Sequence, residues 1–194
     1  MKSVALRTGK SLKYDAIASE VGVSSHTIEE WINILVTSRI IYLLEPYSNN
    51  KLKRLTKMSK IIFMDSGLAT YLSDFSNSLD LQLSKEAGYY LENFIVSELI
   101  KSYDNQSVPI DLCHIRYSDN EEIDLIITKN RKLYPLEIKK TANPQKEHLK
   151  NFYYFEKDGL KLATGGLICL YDKLLLLDEN KYVIPISSVI NTPK

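Results

Sequence analysis

A chain of 194 residues has room for one large domain or two small ones, and a hydrophobic content of 44% supports a packed core. Lys plus Arg (25) nearly cancels Asp plus Glu (24), so the overall charge does not announce a nucleic-acid partner and any basic surface must be local. Cys113 and Cys169 lack C-x-x-C spacing and are too few for a disulfide framework, the N-terminus has no apolar signal segment, and no run approaches the ~20 residues of a membrane span. The expected setting is therefore reduced and cytoplasmic, with no membrane partner.

Arg7-Thr8-Gly9-Lys10-Ser11 looks briefly like the tail of a phosphate-binding loop. That pattern needs a glycine where this chain has Val4, and no strand precedes it, so nucleotide binding is excluded there. Residues 14–39 read as helix-turn-helix. Ile17, Ala18 and Val21 recur at helical spacing, Gly22-Val23-Ser24 makes the turn, and Ser24 or Ser25 caps the next helix. That second helix, roughly 25–38, places Ile28, Trp31, Ile32 and Leu35 on one face. Its opening residues Ser25, His26 and Thr27 are the ones a DNA groove would meet, although Glu29 and Glu30 would repel phosphate.

Two apolar strands, about 40–45 and 60–65, flank a polar loop and complete the pattern of a winged helix. The loop carries Lys51, Lys53, Arg54, Lys57 and Lys60, which form either a phosphate-contacting wing or a solvated hairpin tip. Asp65-Ser66-Gly67 turns into a short helix at 68–72. Residues 75–84 are polar without clear periodicity, and we place the boundary there, with one domain at 1–75 and a second at 76–194. Helix 85–102 follows, with Leu91, Ile95 and Leu99 as its stripe. Glu92 sits beside that stripe and needs a partner, since a carboxylate at a buried margin is costly alone.

Residues 108–117 read as the first strand of the second domain. EIDLIITKNRKLYPLEIKKT, residues 122–141, reads as two strands about a tight turn at Asn130-Arg131, because Asn tolerates the positive φ such turns need. Lys129 then faces Lys132, Asp124 faces Glu137, and Lys139 shares the Glu137 face. Ile123, Leu125, Ile127, Leu136 and Ile138 take the other face. Pro135 removes a ladder donor and so must sit at an edge or an unpaired position. A helix at 145–156 packs through Leu149, Phe152, Tyr153 and Phe155. A fourth strand at 165–171 and a last hairpin at 174–177 and 182–185 complete the chain. His114, Arg116, Gln145 and Lys150 either line a cleft or sit at the surface.

Two opposed carboxylates repel, and a hard divalent cation would remove that penalty. The D…E-x-K arrangement of Asp124, Glu137 and Lys139 resembles the PD-(D/E)XK, or restriction-endonuclease-like, nuclease core. A broader resemblance runs through Pro46-Tyr47-Ser48, Lys53-Arg54 and Phe63-Met64-Asp65-Ser66-Gly67-Leu68-Ala69. It continues at Glu92-Asn93-Phe94-Ile95-Val96-Ser97-Glu98-Leu99, Glu122-Ile123-Asp124 and Pro135-Leu136-Glu137-Ile138-Lys139. In this order the segments resemble the C-terminal domain of unknown function of a large prokaryotic family of AAA-type ATPases. The family's ATPase module would precede residue 1, so an ATPase partner is expected in cis or in trans.

The resemblance implies an α/β (α+β) fold, a winged helix-turn-helix followed by a restriction-endonuclease-like αβββαβ core. It also implies Mg²⁺- or Mn²⁺-dependent hydrolysis of a DNA phosphodiester. Asp124 and Glu137 would bind the metal, Glu92 would assist directly or through water, and Lys139 would position the nucleophile. A homodimer would suit the cutting of two strands. The competing expectation is a module without catalysis that tethers DNA, regulates such an ATPase or mediates protein contacts.

Overall fold

The computed structural model describes residues 1–47, 58–118, 121–157 and 159–190. The fold is mixed α/β and divides into two compact units, Met1–Leu44 with Met58–Ser97, and Glu45–Lys57 with Glu98–Lys194. This differs from a single cut at residue 75. The division falls inside one long helix, because polar residues 75–84 do not form a linker: Ser78–Leu83 is helical, started by Asn77, whose side chain accepts from the backbone N–H groups of Leu79 and Asp80.

The first unit opens with α1 (Lys2–Ala5), α2 (Tyr14–Val21) and α3 (Ser25–Thr37). Gly22 takes the left-handed conformation that ends α2, and Ser24 starts α3 by accepting from the Thr27 N–H at 3.1 Å. β1 (Ile41–Pro46) pairs antiparallel with β2 (Lys60–Phe63), from Ile41 opposite Phe63 to Leu44 opposite Lys60. α4 (Ser66–Leu72), α5 (Ser78–Leu83) and the start of α6 (Ala87–Asn105) follow. Ile17, Ile28, Ile32, Ile41, Ile61 and Phe63 form the core.

Two expectations change in this unit. Trp31 does not join the buried face of α3; it is 47% exposed, and the face is made by Ile28 and Ile32 with Leu35 and Val36 partly buried beside them. Lys60 is not a cation of the loop tip but a buried strand residue. Gly9 is required by its backbone and its surroundings. Its φ is +72°, and a Cβ there would come 2.8 Å from the Tyr89 carbonyl oxygen.

The second unit is built on a mixed sheet. Its strands are β3 (Asp111–Ser118), β4 (Glu121–Lys129), β5 (Lys132–Lys139), β6 (Gly165–Cys169), β7 (Leu175–Asp178) and β8 (Lys181–Pro185), in the order β3-β4-β5-β6-β8-β7. The β3/β4, β4/β5 and β7/β8 pairs are antiparallel, and β5/β6 and β6/β8 parallel. Glu45 and Pro46 add a short parallel pairing to Cys113 and His114. A 3₁₀ turn (Lys146–Leu149) and α7 (Lys150–Lys157) make the crossover that parallel β5 and β6 require. α8 (Ser187–Ile190) ends the described chain. Phe152 and Phe155 of α7 pack with Ile115, Ile126, Leu167 and Val183, whereas Tyr153, expected to pack beside them, is 41% exposed and donates its hydroxyl to Asp178.

The β4–β5 hairpin turns at Asn130 (φ +53°) and Arg131 (φ +60°), the positive-φ pair of a two-residue turn. Lys129 faces Lys132, and the register runs without a break to Leu125 opposite Leu136. Alternation fails on the other side of β4. Cys113 pairs with Ile126 but Ile115 pairs with Ile123, so three steps of β4 meet two of β3. That irregularity turns Ile123 into the same core as Ile126, rather than leaving it on the face of Leu125 and Ile127.

Pro135 lies on an interior strand, not an edge. The β5/β6 ladder begins one residue later, at Leu136 opposite Gly166, so the missing N–H falls outside it. Gly165 makes room for the ring: a Cβ there would come 2.7 Å from the Pro135 Cγ and 2.6 Å from its carbonyl oxygen.

Candidate functional site

The end of the β4–β5 hairpin gathers three of the residues singled out in the sequence. Lys139 places its ammonium 2.6 Å from Glu137 Oε1 and 3.4 Å from Asp124 Oδ2. The same Asp124 oxygen accepts the backbone N–H of Ile138 at 2.9 Å, which fixes the carboxylate against β5. The Glu137 side chain is 3% exposed and that of Asp124 12%, whereas Lys139 keeps 40%, so the amine closes the site on its solvent side.

Burial works to lower the pKa of Lys139. The charges of Asp124 and then Glu137, with hydrogen bonds to both, outweigh it and hold the ammonium above its ordinary range. The two buried carboxylates beside the ammonium offer hard oxygen donors. That donor set fits Mg²⁺ or Mn²⁺, which take one or two protein carboxylates and fill the rest of their shell with water or phosphate.

Glu92 is counted with the first unit and is engaged there. Its Oε1 accepts from Lys60 Nζ at 2.5 Å, with both side chains almost fully buried. Beside it, Asn93 clamps the end of β2: its Oδ1 accepts from the Phe63 N–H at 2.6 Å, and its Nδ2 donates to the Phe63 carbonyl at 3.1 Å. Sequence reasoning gave Asn93 no role, since its partner lies 30 residues away.

The proposed α3 contacts are largely taken up locally. Ser25 donates its hydroxyl to Asp15, the Thr27 hydroxyl lies 2.9 Å from that of Ser24, and His26 is exposed with Nδ1 3.8 Å from Glu30. Lys51, Lys53, Arg54 and Lys57 lie outside the described residues. His114 is fully buried, and Arg116 sits 3.6 Å from Glu122. Gln145 caps the 3₁₀ turn in a reciprocal box with His148, and Lys150 is exposed.

Residues 87–189, from α6 into α8, match the family model described as a domain of unknown function (DUF4143), which is more than half of the chain. The chain belongs to the DUF4143 family. Ahead of the DUF4143 region, residues 1–79 match a second domain of unknown function (DUF8612). The chain is similar to the uncharacterized protein Rv2008c of Mycobacterium tuberculosis and the uncharacterized protein Mb2031c of Mycobacterium bovis. Each is 26% identical over 176 residues, covering 91% of this chain and 38% of the relative. The chain thus spans well under half the length of the curated relatives it matches. No solved structure matches it.

Proposed function

We propose that this chain is a DNA-binding, metal-dependent nuclease-like module of the PD-(D/E)XK type, a winged helix followed by a phosphodiester-cleaving domain. The observation that carries this reading is the convergence of Asp124, Glu137 and Lys139 at the end of the β4–β5 hairpin, the carboxylates buried and the amine partly exposed. A divalent cation held by the two carboxylates would polarise the phosphate. Asp124 is oriented for that by the Ile138 N–H. Lys139, on the solvent side, would neutralise charge gathering on the phosphate oxygens and position an attacking water. An ATPase partner in cis or in trans is part of the reading, because the family is typically found with AAA ATPases and the matched relatives extend well beyond the aligned region.

Plasmid nicking in Mg²⁺ or Mn²⁺ tests the proposal. Asp124→Ala and Lys139→Ala should each lower the rate by about 10²-fold or more, the scale of losing a charged group that acts on the transition state. Nicking that survives both substitutions would refute it.

One contact favours a second reading, a DNA-tethering or regulatory module without catalysis. The Lys139 ammonium already lies 2.6 Å from Glu137, where a metal would have to displace it. Calorimetric titration with Mg²⁺ on wild type and Asp124→Asn separates the two. Heat lost in the variant supports the nuclease. Silence in both, with salt-sensitive duplex binding weakened by Lys53→Ala and Arg54→Ala, supports the tether.

A further inference from the structure

The face of the second unit's sheet turned away from the acid pocket carries a groove of about 480 Å³, lined among others by Tyr103, Tyr134, Tyr182, Ile127, Leu136 and Lys129. Its geometry follows from register. Leu136, Gly166 and Tyr182 stand in one row across β5, β6 and β8. With no side chain at the middle position, Ile184 leans over Gly166, its Cδ1 2.6 Å from where a Cβ would stand, and makes an apolar floor between the Leu136 and Tyr182 walls. Strand alternation puts Tyr134 and Leu136 on this face and Glu137 and Lys139 on the other.

At one end of the groove the hairpin tip carries Lys129, Arg131 and Lys132, all exposed. Lys129 and Lys132 are direct cross-strand partners on one face. Like charges so placed weaken a hairpin. None of the three has an ion pair to an acidic side chain among the described residues. The groove is also left open by its own unit: Leu174 is 68% exposed, Leu176 57% and Tyr182 37%. An occupant must therefore bring a flat apolar surface for the floor and negative charge for the tip.

We propose that this groove binds single-stranded nucleic acid, with a base against the tyrosines and the adjoining phosphates on Lys129, Arg131 and Lys132. Stacking on aromatic side chains beside a cationic track is how such strands are held without sequence preference. The proposal goes beyond the cleavage reading, since this surface is on the other side of the sheet from the acids.

The test is fluorescence anisotropy of the full chain with a fluorescein-labelled oligothymidylate about 12 nucleotides long, a length within the usual single-strand footprint. EDTA is present throughout, so the outcome does not depend on whether the acid pocket cuts. Binding at low salt is expected, with the tyrosine fluorescence quenched. The Lys129→Glu/Lys132→Glu pair should weaken it by about tenfold or more, and Tyr182→Ala by about tenfold, while Tyr182→Phe retains it, because the ring and not the hydroxyl stacks. Both altered sites are exposed, so folding is preserved, and circular dichroism checks it. The proposal is overturned by an absence of binding at low salt. It is equally overturned if the charge-reversed pair and Tyr182→Ala bind like wild type, or if sedimentation shows the groove occupied by a second copy, with self-association abolished by Leu176→Glu.

Discussion

Lys60 and Glu92 show how a single residue's role depends on distant sequence. From the chain alone Lys60 reads as the last of five cations at a loop tip. In the fold it is 1% exposed and bonded to Glu92, 32 residues on. No local pattern announces such a pair, because either partner alone resembles an ordinary surface charge. Removing one member takes from the other, still buried, its opposite charge at 2.5 Å, and breaking a buried ion pair costs about 3–5 kcal/mol. Lys60→Met and Glu92→Leu should each lower the urea midpoint sharply, and the double variant should recover most of it. If Glu92→Leu instead left the midpoint unchanged, the pair would be a surface ornament. Cys113 gives a second residue-scale expectation. Burial pushes its thiol up to about 12, so across the neutral and mildly alkaline range it stays protonated. Reaction with a disulfide reagent should be slow in the native state and complete only once urea unfolds the chain.

At the scale of elements, legibility follows how local the determinants are. The β4–β5 hairpin could be read residue by residue, because turn chemistry at Asn130 and strict alternation together set the register. The irregularity between Cys113 and Ile115 could not, since it depends on β3 packing against β4. Ser78–Leu83 was likewise hidden: Leu79, Leu81 and Leu83 alternate as in a strand and not at helical spacing, and only the Asn77 cap signals a helix start. The hairpin also carries a measurable strain. Arg131 has a φ of +60°, which costs a side-chain-bearing residue roughly 1 kcal/mol and glycine almost nothing. Arg131→Gly should raise the melting temperature by about 2–4 °C, the shift that roughly 1 kcal/mol produces in a chain of this size. A fall would mean that the arginine makes a compensating contact.

Over the whole molecule, a net charge of +1 leaves nucleic-acid affinity to patches, and the groove's patch holds three cations. Each phosphate neutralised on a single strand contributes about −0.7 to the slope of log affinity against log salt, so oligothymidylate binding should show a slope of about −2. A slope several times steeper would point to a distributed surface. The acid pocket was visible in the sequence because its three members sit on one hairpin, within 16 positions of each other. The groove was not, because β4, β5, β6 and β8 must first come side by side. The division into units was only coarsely visible, since α6 runs through the boundary with an unbroken helical pattern. Among the described residues no helix is long and apolar enough to cross a membrane.

The contact between Pro135 and Gly165 has a bearing on how this sheet can change. Any side chain at 165 meets both the pyrrolidine ring and the backbone carbonyl of residue 135, and the carbonyl stays whatever residue stands there. In a library randomised at both positions, 165 should therefore return glycine in nearly every survivor, while 135 tolerates exchange.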